Sequence, residues 1–309
     1  MSSTIDIVNE PRAYHSPRQF KRLGEELEAM TGPPEPKDFH FYVEQFAIHG
    51  MSSAFSRLME VSEGAVNRNR SLGRFAQSYA TFLMSSKTAL GDAFEERLNR
   101  SLLSDAPQLV QRGDTPSDRL VIVLPTYYNN AMVSFPLLDA YLGTHGHDAL
   151  YLKATHSQIP FYSGFFGVGS SIDWVNHFLL NLCEQRGYQT LSLIGASSGG
   201  FMALWLGAKL GAETVCVYGA DTKPTMRSKL LSPKHMSRMA TEEEITDMID
   251  LGRIGQIHVY AGNLRSRDVE CLTLLEGLDN VEGHLIRGVG HMVLNQLLSK
   301  GYGFENIAG

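Results

Sequence analysis

Cysteine is scarce: three residues in 309, at Cys183, Cys216 and Cys271. An odd number at wide spacing argues against a disulfide framework, and it offers no paired spacing for zinc. Dinucleotide chemistry lacks its motif as well, because Gly167-Val168-Gly169 has no third glycine. The expectation is therefore no cofactor and no metal. Long apolar runs are missing too. No stretch approaches the roughly 18–20 residues needed to span a bilayer. The opening Met1-Ser2-Ser3-Thr4-Ile5-Asp6 shows no basic stretch leading into an apolar one, so no secretory signal is read there. Basic charge is not in excess: 27 Lys and Arg stand against 33 Asp and Glu. A mildly acidic chain has no electrostatic footprint for nucleic acid or an anionic membrane. Internal repeats and low-complexity tracts are absent. What remains is an expected cytoplasmic protein of ordinary globular composition, 43% hydrophobic and 19% charged.

The chain divides near residue 115. Residues 1–115 read as a mainly helical accessory region. Phe20, Leu23, Leu27 and Met30 mark an amphipathic helix over 16–30, ended by Thr31-Gly32-Pro33-Pro34. The aromatic and β-branched run Phe39–Ile48 predicts a strand. Leu72, Phe75, Tyr79, Phe82, Phe94, Leu98 and Leu102 recur at helical spacing and predict core-facing helices over 72–103. A linker follows, Gln111 to Ser117.

Residues 116–309 alternate strand and helix. The continuous apolar run Leu120–Leu124 predicts a buried parallel strand. A helix over 132–143, a strand over 149–152 and a helix over 171–186 come next. Further strands are predicted at 191–194, 214–218, 257–260 and 283–286. Helices are predicted at 201–208, 241–251, 266–277 and 292–300, the second opened by a Thr241–Glu244 capping box. Alternation at this spacing means a mostly parallel sheet covered on both faces.

Gly195-Ala196-Ser197-Ser198-Gly199-Gly200 lies between the run Leu191–Ile194 and a helical stretch. A serine nucleophile must stand clear of its sheet on a turn so tight that residues two away on either side are tiny. Gly195 and Gly199 meet that need. The following helix points its N-terminus at any negative charge developing there. The nucleophile needs a base, and the base needs a group to orient it. His291 follows the last strand in Gly288-Val289-Gly290-His291. His145, His147, His156 and His177 are less well placed, before the nucleophile. Asp268, after the strand at 257–260, is the expected acid. Asp221, after the strand ending at Tyr218, is its rival, and Glu270 comes third. Two backbone donors must face the oxyanion. One is Ser198; the other comes from Pro125-Thr126-Tyr127-Tyr128-Asn129-Asn130, at Thr126 or Tyr127.

These residues together resemble the α/β-hydrolase superfamily over roughly 118–303. The resemblance implies an α/β-hydrolase fold with Ser197 as nucleophile, Asp268 as acid, His291 as base and Ser198 as oxyanion donor. Common esterases read His-Gly in the loop where this chain reads Pro125-Thr126-Tyr127-Tyr128. Phe161-Tyr162-Ser163-Gly164-Phe165, the doubled Gly199-Gly200, and His291-Met292-Val293-Leu294 leading to Leu297 and Gly301 resemble a branch associated with bacterial polysaccharide loci and accessory secretion.

The function expected is a serine hydrolase, esterase-like, acting through an acyl-enzyme on a small-molecule or carbohydrate ester. An acyltransferase using the same Ser-Asp-His set is the alternative within enzymes. A non-catalytic assembly protein that keeps the fold is the alternative outside them.

Overall fold

The computed structural model describes residues 52–68, 108–110, 117–126, 130–133, 135–143, 145–154, 164–165, 167–169, 172–223 and 244–298, with isolated positions at 25, 29, 33–34, 42, 80, 84 and 88. Among the described residues seven strands form one sheet: β1 Gln108–Val110, β2 Arg119–Leu124, β3 Asp148–Tyr151, β4 Thr190–Ala196, β5 Thr214–Tyr218, β6 Gln256–Gly262 and β7 Val281–Ile286. Their order is β1-β3-β2-β4-β5-β6-β7. All neighbours run parallel except β1, which pairs antiparallel with β3. Strands β2 to β5 are apolar runs because they are buried on both faces.

The described helices are α1 Ser52–Arg68, α2 Phe135–Gly143, α3 Ile172–Arg186, α4 Ser198–Leu210, α5 Ile245–Met248, α6 Ser266–Leu275 and α7 Val293–Leu298. On one face of the sheet Ile122, Leu193, Val217 and Val259 share a core with Val175 and Leu179 of α3, Phe201 and Leu204 of α4, and Leu272 and Leu275 of α6. The opposite face meets α2, where the Phe135 and Tyr151 rings lie 5.4 Å apart. There the Tyr151 hydroxyl donates to buried Asp139. A mostly parallel sheet layered by helices on both faces, with one antiparallel edge strand, is the α/β-hydrolase fold.

The predicted strand at 214–218 coincides with β5, and the other strands differ from expectation at their ends by one to two residues. The predicted helix over 241–251 is shorter than expected. It runs only from Ile245 to Met248, because Ile249 turns extended at φ −154 and ψ 147. Asp250 then caps a separate 3-10 turn, Leu251–Arg253, by accepting the Gly252 amide. Glu244 precedes α5 without capping it through its side chain, and Thr241 lies outside the described residues.

Two elements were not expected. Strand β1 lies on the N-terminal side of residue 115 and joins the sheet. Helix α1 is the other, with Leu58 and Ser62 fully buried. The strand expected over Phe39–Ile48 is corrected at Tyr42, its described residue, which is helical. The reason is legible in hindsight: Phe39, Tyr42, Val43 and Phe46 recur at helical spacing. Within the helix expected over 16–30, Glu25 is helical and its carbonyl accepts the Ala29 amide. The stripe from Leu72 to Leu102 lies outside the described residues, although Ala80, Met84 and Thr88 between them are helical. Among the described residues no helix is long and apolar enough to cross a membrane.

Candidate active site

Ser197 sits between the end of β4 and the start of α4, with φ 52 and ψ −123. A β-carbon rarely tolerates that backbone, so the conformation must be held from outside. Three hydrogen bonds hold it. The Ser197 amide donates to the Tyr218 carbonyl at 2.9 Å, and the Ser197 carbonyl accepts the Gly200 and Asp221 amides at 2.9 and 3.2 Å. The flanking glycines permit the turn. A Cβ on Gly195 would strike the Gly199 carbonyl, and one on Gly199 would lie 2.7 Å from the carbonyl oxygens of both Leu124 and Pro125. The half-buried side chain of Ser197 is thus presented beyond the sheet edge.

The loops after β6 and β7 are tied to each other. The Leu264 amide donates to the Val289 carbonyl, and Asn263 Oδ1 accepts the Gly288 amide at 2.7 Å. Gly288 makes that turn at φ 74. The junction brings Asp268, in the first turn of α6, against His291. Nδ1 of His291 lies 3.1 and 3.0 Å from the two Asp268 carboxylate oxygens, and Nε2 lies 2.9 Å from Ser197 Oγ. A carboxylate only accepts, so the Nδ1 proton belongs to the imidazole and Nε2 presents its lone pair to the serine. Asp268 is 2% exposed. Its Oδ1 also lies 3.3 Å from Nε of Arg265.

The rival acids are elsewhere. Asp221 pairs with Arg267 at 2.8 Å, and its backbone amide serves the Ser197 carbonyl. Glu270 is exposed on α6. Of the other histidines considered, His145 stands exposed in a turn and His177 bonds Asn181 on α3. His156 lies outside the described residues.

Ser198 is the first residue of α4, so its amide has no acceptor within the helix and faces the elbow. The second donor is less simple. The Thr126 amide is spent on the Asn130 carbonyl at 2.6 Å, and its hydroxyl on Asn130 Oδ1 at 2.8 Å. Tyr127 lies outside the described residues.

Sequence reasoning passed over two kinds of residue. Arg265 pairs with Asp268 three residues on, a spacing that the sequence does show, whereas Arg267 pairs with Asp221 across two loops, which local spacing does not mark. Gly219 is the other. It follows β5 at φ 54, and a Cβ there would lie 2.9 Å from His291 Nδ1 and 3.1 Å from Asp268 Oδ2. A glycine directly after a buried strand was the available signal.

No protein-family model matches the chain, and no curated protein matches it in sequence. Solved structures are similar to part of it. TT1662 from Thermus thermophilus is 16% identical, with TM-score 0.46, over 63% of this chain and 89% of that one. Esterase 2 of Thermogutta terrifontis is 12% identical, with TM-score 0.41, over 60% and 79%. MenH from S. aureus is 11% identical, with TM-score 0.40, over 62% and 93%. At such identity, this similarity says nothing of substrate.

Proposed function

We propose that the chain is a serine hydrolase that cleaves an ester through an acyl-enzyme. The observation that carries this reading is the hydrogen-bonded series Ser197 Oγ, His291 Nε2, His291 Nδ1 and buried Asp268, mounted on a backbone elbow. His291 takes the Ser197 proton as Oγ attacks the acyl carbon. Asp268 keeps the imidazole in the required tautomer and stabilises it once protonated. Ser198 supplies one amide to the oxyanion. With the Thr126 amide engaged inside its loop, the Tyr127 amide is our choice for the second. The imidazolium then returns its proton to the leaving alkoxide, and water repeats the cycle on the acyl-enzyme. The buried, hydrogen-bonded Asp268 argues against a non-catalytic assembly role, which has no use for it. A carbohydrate ester is the substrate class implied by the polysaccharide-locus resemblance, and it comes second to the ester chemistry itself.

The test is covalent. A fluorophosphonate probe should add once to the full chain, and peptide mapping should place it on Ser197. Ser197→Ala should lose both label and ester turnover, the latter by on the order of 10⁶-fold. Label at another residue, or turnover retained in Ser197→Ala, overturns the reading.

A further inference from the structure

On the face of the sheet opposite α4, at its β7 edge, three side chains converge. His258 of β6 is paired in register with Glu282 of β7, and His284 follows Glu282 by two residues on the same face. His258 Nδ1 lies 3.4 Å from His284 Nε2 and 3.3 Å from Glu282 Oε2, and His284 Nε2 lies 3.7 Å from Glu282 Oε1. One ligand atom from each residue falls within 4.8 Å of the others. His258 is 7% exposed, whereas Glu282 opens to solvent.

Hydrogen bonding alone satisfies this group poorly. Nδ1 of His258 carries one proton or one lone pair, and it faces two partners. Both separations are longer than the roughly 2.7–3.2 Å of a good N–H bond. These two match a different requirement, and the third, 3.7 Å from His284 Nε2 to the other Glu282 oxygen, lies a few tenths of an ångström beyond it. Nitrogen and oxygen ligands about 2.0–2.1 Å from one ion in tetrahedral array stand roughly 3.3–3.4 Å apart, since a tetrahedron's edge is about 1.6 times its centre-to-corner distance. The rings are also held. His284 stacks on Tyr260 at 4.4 Å, and Tyr260 stacks on Tyr218 at 4.9 Å.

We propose that His258, Glu282 and His284 form a binding site for a divalent transition metal of the zinc type, with water at the open fourth position. The ion is structural. His258 lies four residues before the end of β6, roughly 13 Å along the strand at about 3.3 Å per residue. That places it away from Ser197 and makes it a staple between edge strand β7 and β6, the two strands whose following loops carry His291 and Asp268. The site was not visible in the sequence because its ligands sit on two strands, without the close spacing of a zinc motif.

The proposal does not rest on the hydrolase reading, and its test keeps the two apart. The full chain, free of any histidine tag and stripped with chelator, is titrated with Zn²⁺ by calorimetry and with Co²⁺ by visible absorption. One equivalent should bind, Co²⁺ should give the intense bands of a four-coordinate site, and Zn²⁺ should raise the melting temperature. Glu282→Ala, at an exposed position, and His284→Phe, which keeps the stack on Tyr260, should each weaken binding by at least about tenfold, the lower end of what losing even an outer-shell partner does. Ser197→Ala and His291→Ala should bind as the parent does. Binding of less than a stoichiometric equivalent, or equal affinity in Glu282→Ala and His284→Phe, overturns the proposal.

Discussion

Ser197 holds a backbone that serine ordinarily avoids, at a cost of about 1–3 kcal/mol, and its neighbours supply the restraint. Asp221 belongs to that restraint through its amide, while its carboxylate goes to Arg267. Asp268 belongs to the imidazole. The two acids therefore separate by mutation. Asp268→Asn leaves no acceptor fixed for the Nδ1 proton, and kcat should fall by roughly 10⁴-fold. Asp221→Asn should keep turnover within a few-fold, since its main-chain bond survives. Steady-state kinetics on one ester decides, and the reverse pattern reassigns the acid. Gly219→Ala tests the packing beneath them. Its methyl group has no room at 2.9 Å from His291 Nδ1, and φ 54 adds strain. Displacing the imidazole by a fraction of an ångström to about 1 Å should cost up to about 10²-fold in kcat. Unchanged kinetics in a folded Gly219→Ala variant would show that the imidazole has slack. The meeting of Ser197, Asp268 and His291 was legible because a tight strand-to-helix turn writes its glycines into the chain, and loops after successive parallel strands gather at one edge of the sheet. The Arg267–Asp221 pair was not, because side-chain pairing across loops leaves no local pattern; Arg265 and Asn130 lie only three and four residues from their partners, but in loops with no helical or strand period to call attention to them.

Helix α4 approaches β4 and β5 closely because glycines line both contacts. Gly200 faces Ala220, where a Cβ would lie 2.6 Å from the Ala220 Cβ and 2.9 Å from its Cα. Helix propensity alone favours alanine by about 1 kcal/mol. Overpacking against a backbone atom costs about 1–3 kcal/mol. The second effect should win, so Gly200→Ala should lower the unfolding midpoint in urea; a raised midpoint would mean that the α4–β5 junction gives way easily. At this scale the sequence was most legible where an element is buried on both faces, as in β2 and β5, since burial turns the whole run apolar. Strand β1 escaped notice because three residues contain no period, and only its partner β3 defines it. Helix α5 fell short of its pattern because Asp250 draws the following residues into a turn of their own.

The whole molecule depends on what closes the sheet. Strand β3 has β2 on one side and β1 on the other, and β1 belongs to the N-terminal part of the chain. We propose that residues 1–115 act as an accessory region for the sheet domain and carry no catalysis of their own. A chain of residues 116–309 loses the partner of Ala149, Leu150 and Tyr151, together with α1. An unpaired strand edge is a template for another chain. If residues before β1 also pack on the sheet domain, as this proposal holds, the apolar surface they cover adds about 25 cal/mol per Å² in favour of association once bared. The shortened chain should therefore elute from size exclusion as aggregate under conditions that leave the full chain dispersed. Residues 1–115 alone should show no esterase activity. A chain that keeps β1 by starting near residue 104 divides the two causes. If it is dispersed, the open edge of β3 was responsible; if it aggregates like 116–309, the loss of the residues before 104 was. A soluble, fully active monomer from residues 116–309 would refute the accessory reading.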